Sequence, residues 1–168
     1  MIFVTVGTHE QPFDRLVKKM DDLAAQGALN EEVIIQTGYS NYEPKYCTWQ
    51  KLYPYQDMLR FVDEARIVIT HGGPSSFIMP LQVGKIPIVV PRQEKYGEHI
   101  NDHQVTFCRA VEERNGNILV VTKIDELLET IKTYESRVQS MPRGIRSNNE
   151  KFCVELEGIV QNLLLKEV

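Results

Sequence analysis

Ala65-Arg66-Ile67-Val68-Ile69-Thr70-His71-Gly72-Gly73-Pro74-Ser75-Ser76 decides how this chain reads. Its first half is an apolar, β-branched run of strand type. Its second half is a glycine turn, with Pro74 suited to the first position of a helix. A helix-length stretch follows, then Gly84-Lys85-Ile86-Pro87-Ile88-Val89-Val90-Pro91, a second apolar strand. On such a strand–turn–helix–strand unit an α/β protein seats an anion. Paired glycines let the backbone approach it, and the first helical turn offers unpaired N–H groups at a positive dipole end. The bland alternative is a tight turn with no ligand, which Gly72-Gly73 alone would favour. His71 before the glycines and the hydroxyls of Ser75 and Ser76 after them favour an anion such as a nucleotide's phosphates.

The same alternation extends outward. Residues 2–6 read as a buried strand closed by Gly7. Pro12 then opens a helix on which Phe13, Leu16, Val17, Met20, Leu23 and Ala24 recur at helical spacing until Gly27. Residues 33–37 form a second strand ending at Gly38, 46–52 a weaker third, and 55–64 a short helix with Met58, Leu59 and Val62 inward. Beyond Pro91 come a helix over 100–114, a strand over 118–121 and a helix over 125–134. Residues 136–149 read as a polar connector. The tail, Glu150 to Leu165, is an amphipathic helix with Phe152, Leu156, Ile159, Val160, Leu163 and Leu164 on one side. That stripe reads first as a helix docking on its own domain, and second as a face for a partner.

This pattern predicts one α/β domain over residues 1–168, a doubly wound, mostly parallel sheet with helices on both faces: a single Rossmann-like unit. Ligands of such sheets bind beyond the carboxyl ends of the strands, where strand order reverses. Three turns, Gly7-Thr8-His9, Gln36-Thr37-Gly38 and 71–76, are therefore expected to face one crevice.

Composition narrows the classes of partner. A formal charge of −4 without any dense basic stripe argues against nucleic acid. Cys47, Cys108 and Cys153 are scattered and form no C-x-x-C pair, which fits a reducing compartment better than a disulfide framework or a zinc site. With a strand opening at Met1 no signal peptide is expected, and no apolar run approaches the roughly 20 residues of a membrane span. The expectation is a cytoplasmic protein, or one held at a membrane by something else.

Two further constellations carry chemistry. Arg92, Glu94, Lys95, Glu98, His99, Asn101, Asp102, His103 and Gln104 crowd the carboxyl end of a buried strand. Asp102-His103-Gln104 offers a carboxylate, an imidazole and a carboxamide to the hydroxyls of a sugar. Equally, the segment is a solvated helix start capped by Asn101 or Asp102. Gly7-Thr8-His9-Glu10 carries only one glycine and so is no G-x-G-x-x-G fingerprint, which counts against NAD and FAD. His9 there is a candidate general base or phosphate contact. His99 and His103 have the spacing of a metal-binding pair, but no acidic third ligand stands at a matching interval, so no metal is expected. Tyr39, Tyr42, Tyr46, Trp49, Tyr53 and Tyr55 gather much of the aromatic content, one or two of them available to flank a base.

Taken together, these segments resemble the nucleotide-sugar-binding half of GT-B glycosyltransferases, of the C-terminal, family 28 type. The chain is most similar to the small subunits of two-part UDP-sugar transferases. These are the soluble subunit that makes the dolichol-linked chitobiose and bacterial subunits of capsule and exopolysaccharide synthesis. The likeness extends to the C-terminal domain of the peptidoglycan lipid II glycosyltransferase. It rests on Val4-Thr5-Val6-Gly7-Thr8, Ile35-Gln36-Thr37-Gly38, the run from Ala65 to Ser76, Gly84 to Arg92, and Glu98-His99-Ile100-Asn101-Asp102-His103-Gln104, in that order over roughly residues 1–120.

The resemblance implies that Gly72, Gly73, Pro74, Ser75 and Ser76 hold a donor diphosphate, that Asn101 to Gln104 face the sugar, and that Gly7 and Thr8 line the cleft floor. It puts Tyr53-Pro54-Tyr55 against uracil. It implies inverting transfer of a hexose from a UDP-sugar without a bound metal or other cofactor, with His9 the first candidate for catalytic base. One departure stands out. Where relatives carry a glutamate that binds the ribose hydroxyls, this chain has Met79 followed by Pro80. A thioether accepts no such bonds, so ribose recognition is weaker or has moved to another group such as Glu98.

A GT-B enzyme has two halves, and this chain resembles one. The resemblance therefore implies a membrane-associated partner subunit that holds a lipid-linked acceptor and recruits this chain to the inner face of the membrane. Two other readings compete: a non-catalytic nucleotide-sugar-binding module that regulates or scaffolds a partner, and a stand-alone epimerase of the same superfamily, against which the missing second domain counts.

Overall fold

A computed structural model describes residues 1–144 and 149–164. Its β-branched runs form six short strands: β1 (Ile2–Thr5), β2 (Val33–Gln36), β3 (Thr48–Gln50), β4 (Ile67–His71), β5 (Ile88–Val90) and β6 (Leu119–Val120). They lie in the order β3-β2-β1-β4-β5-β6, and every neighbouring pair is parallel. The chain winds outward from β1 to β3, then crosses back and winds outward again from β4 to β6. Strand order therefore reverses between β1 and β4, where Ile2 pairs with Ile67 and Thr5 with Thr70. The doubly wound parallel sheet expected from the sequence is present.

Seven α-helices are described: α1 (Asp14–Ala25), α2 (Tyr55–Glu64), α3 (Pro74–Gln82), α4 (His103–Asn115), α5 (Leu127–Lys132), α6 (Tyr134–Val138) and α7 (Asn149–Leu164). Successive strand side chains point to opposite faces. Ile2, Val4, Ile67, Ile69 and Ile88 meet Leu16, Val17 and Met20 of α1, with Leu127, Ile131 and Tyr134 of α5 and α6. On the other face Phe3, Ile34 and Val68 meet Met58, Phe61 and Val62 of α2. Val89 and Val120 meet Phe77 and Leu81 of α3 and Cys108 of α4. Burying each of these larger apolar side chains contributes about 1.5–3 kcal/mol, and together they set the sheet's faces.

Several expected boundaries move for local reasons. The fourth helix begins at His103 rather than residue 100, because a 3-10 turn (Glu94–Tyr96) and Gly97 at φ +69° occupy the approach. The helix expected over 125–134 breaks into a 3-10 turn (Ile124–Glu126), α5 and α6. At that break the Thr133 hydroxyl donates to Glu129 O at 2.7 Å, a local bond of the kind that competes with helix continuation. Residues 136–138 of the expected connector belong to α6; residues 145–148, and Leu165 at the end of the expected last helix, lie outside the described residues.

The last helix corrects an expectation. None of the described residues of α7 is buried, and Leu156, Ile159, Leu163 and Leu164 are 47%, 57%, 62% and 66% exposed. The helix forms, but its apolar stripe docks on nothing described, since other helices already cover both faces of the sheet. No helix among the described residues is long and apolar enough to cross a membrane.

Candidate active site

Where β1 and β4 part company, their carboxyl ends open into a cleft of about 570 Å³. Gly7, Thr8, His9, His71, Ser75 and Ser76 line one end. Leu52, Tyr53, Tyr55, Met58, Val62 and Met79 line the other, with Thr5 and Gln36 between. The turns after β1 and β4 and the end of β2 thus meet in one crevice, as the alternation predicts.

His71 is the centre of the polar end. It closes β4, is 8% exposed, and accepts the Gly73 N–H on Nδ1 at 3.1 Å while its Nε2 meets Ser76 Oγ at 2.9 Å. A backbone amide can only donate, so Nδ1 is the bare nitrogen, and Nε2 carries the proton toward Ser76. Burial, and next the Arg92 cation, push this imidazole down to about 4. The ring is therefore neutral through the physiological range, a fixed connector between strand and helix.

The glycines have a reason that the sequence alone does not reveal. A Cβ on Gly73 would overlap the His71 ring, as would one on Gly7, which is held at φ +75°. A Cβ on Gly72 would fall 2.9 Å from Gln104 Oε1 and 3.0 Å from Cys108 Sγ. Their smallness makes room for these side chains. Their amides are also committed, Gly73 to His71 and Gly72 to Gln104 Oε1 at 3.1 Å. The Ser76 amide bonds to Gly73 O at 3.0 Å and Pro74 has none to offer. Among the described bonds, the Ser75 N–H and hydroxyl are left to face the cleft at the positive end of α3, opposite Thr8.

Gln36 is a structural clamp in the cleft wall. Its Nε2 donates to Thr5 Oγ1 at 3.1 Å, and its Oε1 accepts the Tyr53 N–H at 3.0 Å, drawing the Tyr53–Tyr55 segment over the crevice. Gly38 sits where a Cβ would overlap the Gly7 carbonyl, so it shapes the turn without lining the cleft. Tyr55 is 65% exposed at the mouth, where a planar ring is free to stack.

The histidines converge. His9 lies 5.1 Å from His99 between ring centroids, and His99 lies 4.5 Å from His103. His9 and His71 line the cleft, and His99 is close enough to act electrostatically on His71. His9 is exposed and accepts the Gln11 N–H on Nδ1 at 3.1 Å, so in its neutral form it presents Nε2–H as a donor. Burial, then the neighbouring His103 and His9, lower the His99 value. Asn101 Oδ1 accepts the His103 N–H at 3.1 Å and so does cap the helix start, whereas Asp102 turns away and accepts the Glu94 N–H at 2.8 Å. No group of three or more ligating side chains among the described residues could hold a metal.

Of the residues expected at the site, Gly38, Gly72, Gly73, Pro74, His99, Asn101, Asp102 and His103 do not line the cleft, and three more, Arg92, Glu98 and Gln104, are buried in the loops behind it. Arg92 is fully buried; its Nη atoms donate to Gln11 O, Pro12 O, Glu98 O and Val6 O at 2.7–3.3 Å, and the guanidinium lies over Phe13. Desolvation lowers its value to about 10, countered by Glu98. Glu98 is 3% exposed, held bidentate by Arg15 at 2.8 Å and by the Gln93 N–H at 3.0 Å. Its carboxylate is spent, so ribose recognition has not moved there. Gln104 is buried, its oxygen shared between the Gly72 and Arg92 amides at 3.1 Å each. All three organise the loops that shape the cleft.

Sequence reasoning missed Arg15, the partner that neutralises Glu98, because 83 positions separate the pair and no local pattern marks it. It placed Met58 and Val62 in the core, and they also form cleft wall. The signal for that was their i, i+4 spacing on α2 beside the Tyr53–Tyr55 segment.

The profile of the glycosyltransferase family 28 C-terminal domain matches residues 1–154. Among solved structures, the chain is similar to the glycosyltransferase SnogD from Streptomyces nogalater, at 17% identity and a TM-score of 0.50 over 84% of this chain and 40% of that one. It is also similar to the glycotransferase of kitacinnamycin, at 15% identity and a TM-score of 0.48 over 82% of this chain and 37% of that one. The chain thus spans about 40% of the length of the structure it matches first, a likeness of fold. No curated protein matches at a significant level.

Proposed function

Because the chain belongs to the glycosyltransferase family 28 C-terminal domain family, we propose that it is the donor-binding catalytic subunit of a two-component, inverting UDP-sugar transferase. In this reading it passes a hexose to a lipid-linked saccharide acceptor in polysaccharide synthesis. The observation that carries the reading is the cleft at the β1/β4 switch point. It has the N-terminus of α3 at one end and an aromatic and apolar lobe at the other.

The diphosphate lies against the Ser75 N–H and hydroxyl and the Thr8 hydroxyl, where the α3 dipole favours negative charge. The base lies in the apolar lobe beside Tyr53 and Tyr55. In the transfer, the acceptor hydroxyl forms a bond to the anomeric carbon as the bond to the β-phosphate oxygen breaks, and charge grows on the departing UDP. Fixed donors aimed at that charge lower the barrier without reorganising. No metal is needed for this scheme. His9 stands closest to where the sugar would extend. To take the acceptor's proton, its ring must turn and give up the Gln11 bond, so that an unprotonated nitrogen faces the cleft.

The acceptor site belongs to a partner in this reading. What supports that is the uncovered apolar stripe of α7. Calorimetric titration of the purified chain with UDP tests the donor role, with saturable one-to-one binding expected and its absence decisive against it. Efficient transfer by the isolated chain to a lipid-linked acceptor would refute the need for a partner.

A further inference from the structure

A chain of hydrogen bonds with a fixed direction runs along the cleft floor. The Tyr53 N–H, which can only donate, meets Gln36 Oε1 at 3.0 Å, so the other arm of that carboxamide is its NH2 group. Gln36 Nε2 in turn donates to Thr5 Oγ1 at 3.1 Å. The Gly7 N–H donates to the same oxygen at 3.3 Å. Both lone pairs of the Thr5 hydroxyl are therefore taken, and its proton points elsewhere.

Among the described residues nothing receives that proton. Thr70, the register partner of Thr5 on β4, is fully buried, and its Oγ1 has no hydrogen-bond partner. No Asp or Glu lines the cleft. Thr5 itself is 3% exposed and lines the cleft. A buried donor without an acceptor is destabilising, so this one is matched to an acceptor supplied by a ligand. Thr5 lies between the Ser75 and Thr8 end and the lobe formed by Tyr53 and Tyr55. A nucleoside diphosphate with its outer phosphate at Ser75 and its base in the lobe brings its α-phosphate over that point. Phosphate oxygens only accept, and their charge strengthens the bond.

Resting on the donor-cleft reading above, we infer that the Thr5 hydroxyl binds the α-phosphate of the nucleotide, donating the proton that Gln36 and Gly7 leave free. Thr5 is thus a binding residue on the strand itself, held by the sheet rather than by a loop.

A double-mutant cycle between protein and ligand tests this. The ligands are UDP and the two diastereomers of its α-phosphorothioate, each with sulfur, a weak acceptor, in place of one non-bridging α-oxygen. In calorimetric titration of the full chain, one diastereomer should bind about tenfold more weakly than UDP, the scale of one hydrogen bond to a charged group. Thr5→Val, which puts a methyl in place of the hydroxyl, should weaken UDP by about tenfold and bind UDP and that diastereomer alike. Thr5→Ser should behave as the wild type; a serine variant as weak as the valine one would assign the effect to packing and overturn the inference. So would a wild type indifferent to both sulfur substitutions, or a folded valine variant that still separates UDP from the weaker diastereomer. Each of these results leaves the donor reading standing, whereas a wild type that binds no UDP removes both. Should the valine chain not fold, because Gln36 and Gly7 lose their acceptor, Thr5→Cys offers a thiol that donates only weakly. The same convergence of the two ligands is then expected, and its absence overturns the inference.

Discussion

Acidification should loosen the turn after β4 through one imidazole. His71 is held near pH 4 when folded and returns to the ordinary 6.5 when unfolded. Between those values the unfolded chain binds the extra proton, so stability rises with pH. The contribution is complete above pH 6.5 and is lost as pH falls toward 4. At 1.36 kcal/mol per pH unit the full gap is worth about 3 kcal/mol, of which about 2 kcal/mol is gone by about pH 5. Protonating Nδ1 also sets an N–H against the Gly73 N–H, so the bond that fixes the turn is the one that fails. Urea denaturation of the wild type and of His71→Asn at about pH 7.5 and pH 5 isolates the effect. Asparagine can still accept the Gly73 amide but cannot titrate. The wild type should lose about 2 kcal/mol more than the variant over that interval. Equal losses in the two proteins, or an NMR titration placing His71 near 6.5, would refute the argument.

Gly7→Ala should destabilise the fold by about 1–2 kcal/mol through its positive φ alone. Displacement of the His71 ring should add about 1–3 kcal/mol. A denaturation midpoint matching the wild type would show that the loop yields freely. Asp21 is 1% exposed and accepts the Tyr42 hydroxyl and the Lys45, Tyr46 and Cys47 amides. Burial raises its value, but those four bonds together outweigh it and leave the carboxyl below 3.8. Its stabilisation is therefore present above that pH and lost as pH falls through the folded value. Asp21→Asn should cost about 1–3 kcal/mol at neutral pH, and the gap to wild type should narrow as pH falls below 3.8. A gap that persists in acid would mean that the variant acts through packing.

The parallel, doubly wound sheet and the place of the cleft were legible because they follow from local signals. Alternating β-branched runs and helical periodicity set the layers, while the reversal between β1 and β4 is seen only in the structure. Ser75, Thr8 and His71 were likewise readable, each beside the turn that ends a strand. What the sequence hid were commitments between distant residues. Nothing near Glu98 announces that Arg15 will cancel it, and nothing near Gln104 announces that its oxygen will be divided between two amides. A polar residue's presence in a segment says which bonds it can make; which it does make depends on what the fold brings opposite. The α7 stripe failed for a related reason, since periodicity marks an apolar face without saying whether a surface remains for it to cover.

Arg92 carries a last consequence. Its guanidinium is bonded to backbone carbonyls, while the Glu98 carboxylate is tied to Arg15, so its positive field is not cancelled at contact. That field already reaches the cleft, where it disfavours a proton on His71. The same field must attract a dianion seated above Ser75. Mobile counter-ions cannot approach a cation sealed from solvent, so affinity for a pyrophosphate should decline only gently with ionic strength, in contrast to sites built from surface lysines.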